Sequence, residues 1–568
     1  MAESLVDDPR LAGLMVREAW RRARCALGAG PLTWLRLAGA APDALVALPT
    51  PLRAGDPAEA QEIYSGTFTL AGTTAHAEGV SPFALVPPSP LWARELHAFD
   101  WLRHLAAAGD ALAARNARLL VSEWIGARRF GAGRVPYEPD VASRRLIAWI
   151  AHAGFLMEGA DPAFARLFLK SLGREARHVK RVSVGEAPAG LPRLRARIAL
   201  AYAALCLPAG RARARAAARA LAVELDRQIF PDGGHVSRNP EAIPDILADL
   251  LPLRQILLDA GQPVPRALYS AVDRMLPALR FFRHGDGALA LFNGAGAAEP
   301  RLLAAVLRHD ETMGEPISNA RHSGYQRLAA GGTVLLADTG PPPAPALAGQ
   351  AHAGTLGFEF SSLGQRFVVS CGAPGSPSES RRHASRVTAA HSTLTLADRS
   401  SSRFARHAAL GRFLGNPLIR GPSRVTMERE DEDGLFAFRA VHDGYAEDFG
   451  LLHERRIAVS AGGHRIEGTD RLAEDGRRCV AFEGRRRAAV RFHLHPSVVV
   501  EAVEGGLRLQ ARNHAWLFAA TVEPDVEDSI FFADGGTGGG RRTSQIVLGF
   551  DADIVDTVFW SFQRELPR

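Results

Sequence analysis

The hydrophobic period changes once along this chain, and that change restricts the fold to a helical part followed by a β part. Between residues 90 and 282 apolar side chains recur every three or four positions. The stretch "SPLWARELHAFDWLRHLAAAG" sets Trp92, Leu96, Phe99, Leu102 and Leu105 on one helical face. The same period returns over 110–127, 140–157, 161–182, 190–207, 210–229, 241–260 and 265–282, with Gly, Pro or Asp in most of the gaps. Helices of this length joined by short loops predict packed antiparallel hairpins. No ankyrin or tetratricopeptide consensus recurs, which excludes those solenoids and leaves a closed ring of hairpins open.

After residue 285 short runs rich in Val, Phe, Ile and Leu alternate with Gly, Asp and Pro clusters, as in "GTVLLADTG", "RFVVSCG", "AVRFHLHPSVVVEAV" and "LRLQARNHAWLFAA". Alternation of period two in "RFHLH" and "LRLQA" predicts antiparallel strands, and a region this long predicts stacked sheets. The expected domains are an irregular N-terminal cap over 1–89, a helical domain over 90–284 and a β domain over 285–568. A helix over 11–38, carrying Trp20 and Trp34, is expected to pack on its own domain, with a membrane surface as the alternative.

The chain of 568 residues is too long for one core. Its net charge of +7 would suit acidic partners. That charge is almost all arginine, since only Lys170 and Lys180 are lysines, in a chain also rich in Ala, Gly and Pro. Arginines in "REAWRRARCA" and "GRARARAAARA" are spaced as solvated helix faces, and no nucleic-acid motif accompanies them. Cys25, Cys206, Cys371 and Cys479 have neither CxxC nor zinc-finger spacing and read as free thiols. No apolar run is long enough to span a membrane, and no signal-peptide pattern opens the chain. A cytoplasmic protein is expected, with the periplasm or cell envelope as the alternative.

Chemistry-bearing residues gather in a few places. The stretch "FPDGGHVSRNPEAI" (230–243) offers His235, Ser237, Arg238 and Asn239 in a loop. Asn239 before Pro240 is a normal helix cap, but a cap does not require the neighbouring His and Arg, so binding is expected as well. The glycine-rich "FNGAGAAEP" (292–300) lacks the Lys and Ser/Thr of a phosphate loop and reads as a turn. In the β part Tyr325, His352, His391, His442 and Tyr445 recur near strand ends. There is no HExxH and no nucleophile elbow, which excludes the commonest metalloprotease and α/β-hydrolase readings.

Together, "DGGHVSRNP", "AHAGTLGFEFSSLGQRFVVSCG" and "AAHSTLTLADRS" after a helical domain resemble the heparinase II/III family of polysaccharide lyases, over about residues 90–568 and most strongly over 324–400. The resemblance implies an α+β multidomain fold: an incomplete (α/α) toroid followed by a C-terminal layered antiparallel β-sandwich. It implies β-elimination at a 4-linked uronate in an acidic polysaccharide or oligosaccharide. Such a reaction neutralises the sugar carboxylate, removes the C5 proton and protonates the leaving oxygen. By resemblance, His235, Arg238 and Asn239 would clamp the carboxylate. Tyr445, with Tyr325 as second choice, and His352 or His442 would move protons, and Tyr325 and His442 would bind substrate.

No cofactor is required for that chemistry. Some of the family hold a structural zinc, whose ligands here would be His352 and His391. The aspartate that completes the set falls at Ser370, beside Cys371, and Gly354 stands where the family usually has aspartate. Two further readings compete with the lyase. One is a catalytically inactive carbohydrate-binding or envelope-assembly protein on the same scaffold. The other is a glycoside hydrolase, for which only Asp232 and Glu241 lie near the loop as a carboxylate pair.

Overall fold

The computed structural model describes residues 9–28, 37, 39–127, 135–183, 187–208, 210–311, 315–375, 378–405, 408–432, 434–476, 484–535 and 539–565. Trp34, Cys479 and the Cys25 side chain lie outside the described residues. The chain divides into two compact units, Met1–Ile229 with Pro244–Arg274 and Glu299–Glu311, and Phe230–Ile243 with Met275–Ala298 and Thr312–Arg568. The loop 230–243, expected within the helical domain, therefore belongs to the β unit, and residues 299–311 belong to the helical one.

The first unit contains helices α1 (Pro9–Gly28), α2 (Pro57–Tyr64), α3 (Pro90–Ala98), α4 (Leu102–Ala108), α5 (Ala111–Ala127), α6 (Pro139–Ala151) and α7 (Ala153–Met157). It continues with α8 (Pro162–Ser183), α9 (Leu191–Cys206) and α10 (Arg211–Gln228). Proline in the first turn of α2, α3 and α6 starts those helices where a missing N–H costs nothing. Ser89 caps α3 by accepting from the Trp92 N–H, 3.1 Å away. The apolar stripes converge on Trp124, Trp149 and Phe99, which meet edge to face at 5.3–5.8 Å. Beside them the fully buried Arg145 and Glu175 pair at 2.6 Å.

The region before residue 90 is more ordered than expected. It holds α1, α2 and a hairpin of β1 (Thr67–Leu70) and β2 (Thr73–His76). Within α1, Val16 is 69% and Trp20 65% exposed, so these two side chains do not pack on the unit as expected.

The second unit is built on two antiparallel sheets. One contains β3 (Asn319–Ala320), β4 (Tyr325–Ala330), β5 (Thr333–Asp338), β6 (Phe358–Ser362), β7 (Gln365–Val369) and β8 (Leu394–Leu396), joined by β15 (Arg487–Leu494), β19 (Asp525–Phe531) and β20 (Arg541–Asp551). The other contains β11 (Val425–Arg429), β12 (Leu435–His442), β13 (Leu451–Ser460), β14 (Arg465–Glu474), β16 (Val499–Val503), β17 (Gly506–Ala511), β18 (His514–Ala520) and β21 (Thr557–Arg564). The remaining pair is β9 (Arg403–Phe404) and β10 (Leu418–Arg420).

Alternation along the strands sends one set of residues inward, and the two sheets share one core. Phe358 and Phe492 of the first sheet pack against Trp560 and Phe562 of the second, with Phe358 stacked on Trp560 at 5.3 Å. Gly468 lies opposite Trp560 in the register, and a Cβ there would fall 2.0 Å from the indole. Only glycine fits that position.

Candidate functional site

The loop 230–243 is fastened to the first sheet by its own polar residues. Asp232 accepts from the His322 and Ser323 N–H groups, both at 2.8 Å. Arg238, in the left-handed region at φ 60°, runs beneath the turn before β4 and the end of β5. Its guanidinium donates to the carbonyls of Ser323 (2.7 Å), Gly324 (3.0 Å) and Pro341 (2.8 Å) and to Asp338 Oδ1 (2.5 Å). Asn293 donates to Asp338 Oδ2 (2.9 Å) and to the Tyr325 hydroxyl (2.8 Å), and the His352 N–H reaches Asn293 Oδ1 at 3.4 Å. The result is one polar strut beneath the sheet, with Arg238 and Tyr325 6% and 1% exposed.

This placement reassigns several residues. Arg238 spends its donors on carbonyls and on Asp338, so no fork is left for a sugar carboxylate. His235 is buried, and its Nδ1 lies 2.8 Å from Ser237 Oγ. Asn239 accepts from the Glu241 N–H at 2.8 Å, a turn just ahead of the helix that begins at Ala242. Asp232 and Glu241, the carboxylates a hydrolase would need, both accept main-chain N–H groups instead. Burial holds the Tyr325 phenol well above its ordinary pKa, the reverse of what a base near neutrality requires.

Tyr445 and His442 lie elsewhere, in the core between the sheets. The Tyr445 hydroxyl donates to the Leu394 carbonyl at 2.8 Å, and burial raises its pKa. His442 Nδ1 accepts from the Gly444 N–H, and Nε2 lies 3.2 Å from His453 Nδ1. His453 Nε2 bonds Asp470 at 2.7 Å, and Arg455 grips the same carboxylate at 2.8 and 2.9 Å. His442 is 1% and Tyr445 1% exposed, so the expected proton-transfer and substrate-binding roles do not fit their positions.

His352 and His391 do come together, with ring centroids 5.1 Å apart. Burial pushes the His391 imidazole down to about 3 and holds His352 well below its ordinary value. His352 Nδ1, both His391 nitrogens and Ser370 Oγ are buried without a hydrogen-bond partner. Such a pair could supply two nitrogen ligands, but a structural zinc takes four from Cys, His and carboxylate. No group of three His, Cys, Asp or Glu able to hold a metal occurs among the described residues. Cys371, the thiol beside Ser370, turns to His493 Nδ1 at 3.6 Å, and burial lifts it to about 12. The ligand set does not fit a structural zinc.

Asn293, Asp338 and the His453–Asp470–Arg455 network were not anticipated. Asn293 sits in the glycine-rich stretch read as a turn, and its φ of 49° is one that Asn tolerates. That was the only signal for it.

A helical part, two packed antiparallel sheets and a loop anchored beneath the first sheet define a heparinase II/III-like protein, and this chain belongs to that family. The profile "Heparinase II/III-like, C-terminal" matches residues 312–561. The chain is also 35% identical over 531 residues to FtsZ-localized protein C of Caulobacter vibrioides, covering 92% of this chain and 90% of that protein. The fold is similar to the crystal structure of heparinase III, with a TM-score of 0.70 and 14% identity over 90% of this chain and 85% of that one. It is also similar to a mutant of the heparan sulfate lyase HepC from Pedobacter heparinus, with a TM-score of 0.59 and 15% identity over 90% and 83%. For the chondroitin AC lyase of Streptomyces coelicolor A3 the TM-score is 0.52, with 11% identity over 90% and 79%. At these identities the likeness establishes the fold alone.

Proposed function

We propose that this chain is a non-catalytic binding and assembly protein on a polysaccharide-lyase scaffold, acting in the cytoplasm with the cell-division apparatus. The observation that carries the reading is Arg238. The arginine expected to neutralise a uronate carboxylate is buried and saturated by Asp338 and main-chain carbonyls. The phenols nominated for proton transfer are buried as well, with their pKa values raised. The relative of 35% identity, whose name places it with FtsZ, supports the same reading.

A lyase acting on an acidic polysaccharide remains the second reading, favoured by the TM-score of 0.70 to heparinase III. One purified sample separates them. It is incubated with heparan sulfate, alginate, hyaluronan and polyglucuronate while the ultraviolet absorbance of an unsaturated uronate is followed, and it is co-sedimented with assembled FtsZ. A flat trace with co-sedimentation is expected. A rise in absorbance that His235→Ala abolishes would replace this reading with the lyase.

A further inference from the structure

Helix α10 has an unusual outer face. The row of residues four apart, Arg211, Arg215, Arg219, Val223 and Arg227, is exposed along its whole length. Its opposite side is held by Leu221 and Leu225, which are buried, and the helix packs on α9. None of the four arginines has a hydrogen-bond or ion-pair partner among the described residues. Other arginines of the unit are paired: Arg94 with Glu138, Arg144 with Glu95, and Arg195 with Asp140 and Asp245.

Like charges four residues apart repel and weaken a helix, so the row costs the free protein stability that a partner's negative charge would restore. The rows on either side are alanine: Ala212, Ala216 and Ala220 on one, Ala214, Ala218 and Ala222 on the other, none of them buried. A ridge of three cations about 6 Å apart, with a fourth about 12 Å further on beyond Val223, between two shallow grooves is the complement of a helix with carboxylates at the same spacing. Its own ridges would enter the alanine grooves while each carboxylate takes a guanidinium fork. The row carries no Trp, Phe or Leu to enter a lipid surface and no aromatic ring on which a sugar or base would stack.

We propose that α10 is a docking face for an acidic α-helical segment of a partner protein. The face serves that role whether or not the chain is catalytic.

The probe is a labelled helical peptide with glutamate at every fourth position on an alanine background. It is compared with an isomer of the same composition whose glutamates circle the helix. Fluorescence anisotropy should show saturable binding of the first peptide and binding of the isomer about tenfold weaker or less. The Arg215→Glu/Arg219→Glu variant should lose the first peptide and gain one with lysine in place of glutamate. If that reversal unfolds the chain, the Arg215→Gln/Arg219→Gln pair carries the same test through loss of the first peptide. The proposal is overturned if the wild-type chain does not bind the ordered peptide, or binds both isomers equally. It is also overturned if phosphatidylglycerol vesicles or heparin, and not the peptide, lose binding in the variants.

Discussion

Tyr325 and Arg238 hold each other twice. The Tyr325 hydroxyl donates to the Arg238 carbonyl at 2.5 Å, while the Arg238 guanidinium lies over the Tyr325 ring, 4.6 Å from its centroid. The same guanidinium is neutralised by Asp338, so the contact joins main chain, ring and charge in one buried knot. Its first consequence is energetic. Removing the arginine leaves Asp338 buried and unpaired together with several carbonyls, and Arg238→Ala should cost about 3–5 kcal/mol. Urea denaturation measures this. A loss under about 1 kcal/mol would mean that the loop is not fastened by this residue.

Tyr445 separates a structural from a chemical role. Tyr445→Phe keeps the ring in the core and deletes only the donor to the Leu394 carbonyl. The expected cost is about 1–3 kcal/mol of stability, with unchanged binding of any polysaccharide or protein partner. Unchanged stability together with lost function would return this residue to a site.

The course of the fold was legible and the site was not, for one physical reason. The three-to-four and two-residue periods report local burial, so the helices around Trp92 and Trp149 and the strands around Phe358 and Trp560 could be read directly. What Arg238 does depends on Asp338, a hundred residues away, and no local pattern encodes that pairing. A cap in this loop needs neither a His nor an Arg, and its arginine serves as a strut. His442 and Tyr445 follow the same logic: β12 and β13 set His442 opposite His453 in the register, which carries the pair into the core.

Acid should destabilise the chain earlier than its carboxylates require. His391 and His493 are held near about 3 and about 4 by burial, against an ordinary value of 6.5. Their folded-state pKa values are depressed, so the unfolded chain takes up more protons below pH 6.5. Stability is therefore full above that pH and falls as pH drops toward the folded values, with each group contributing a slope of up to about 1.4 kcal/mol per pH unit. Denaturation midpoints across this window should decline from the upper end, and His391→Leu should flatten the decline by about one proton. An identical slope in that variant would show that His391 is protonated in the folded chain.

Gly354 is fixed by its neighbour. A Cβ there would lie 3.0 Å from both Cγ and Nδ1 of His391, a ring already confined between buried segments. Gly354→Ala should therefore cost about 1–3 kcal/mol, seen as a lower thermal midpoint. Gly354→Ala combined with His391→Ala should recover part of the loss, because the clash is then gone. Equal losses in the single and double variants would place the strain elsewhere.

By the family resemblance, Ser370 stands where a third ligand would join the two imidazoles. The main chain beside it bonds the segment that carries His391, since the Cys371 N–H donates to the Ala390 carbonyl at 3.0 Å. Ser370 Oγ and three imidazole nitrogens are buried without hydrogen-bond partners, and no third His, Cys, Asp or Glu joins the two imidazoles in a metal-holding group among the described residues. A neutral pair and a hydroxyl bind zinc weakly, whereas a carboxylate would complete a set of two nitrogens and one oxygen. Ser370→Asp should therefore retain about one zinc per chain after dialysis, measured by elemental mass spectrometry, and should melt at a higher temperature with zinc than with a chelator. The natural chain should retain far less, and adding His352→Ala to the variant should abolish the gain. Stoichiometric zinc in the natural chain would mean that two imidazoles and water suffice at this position.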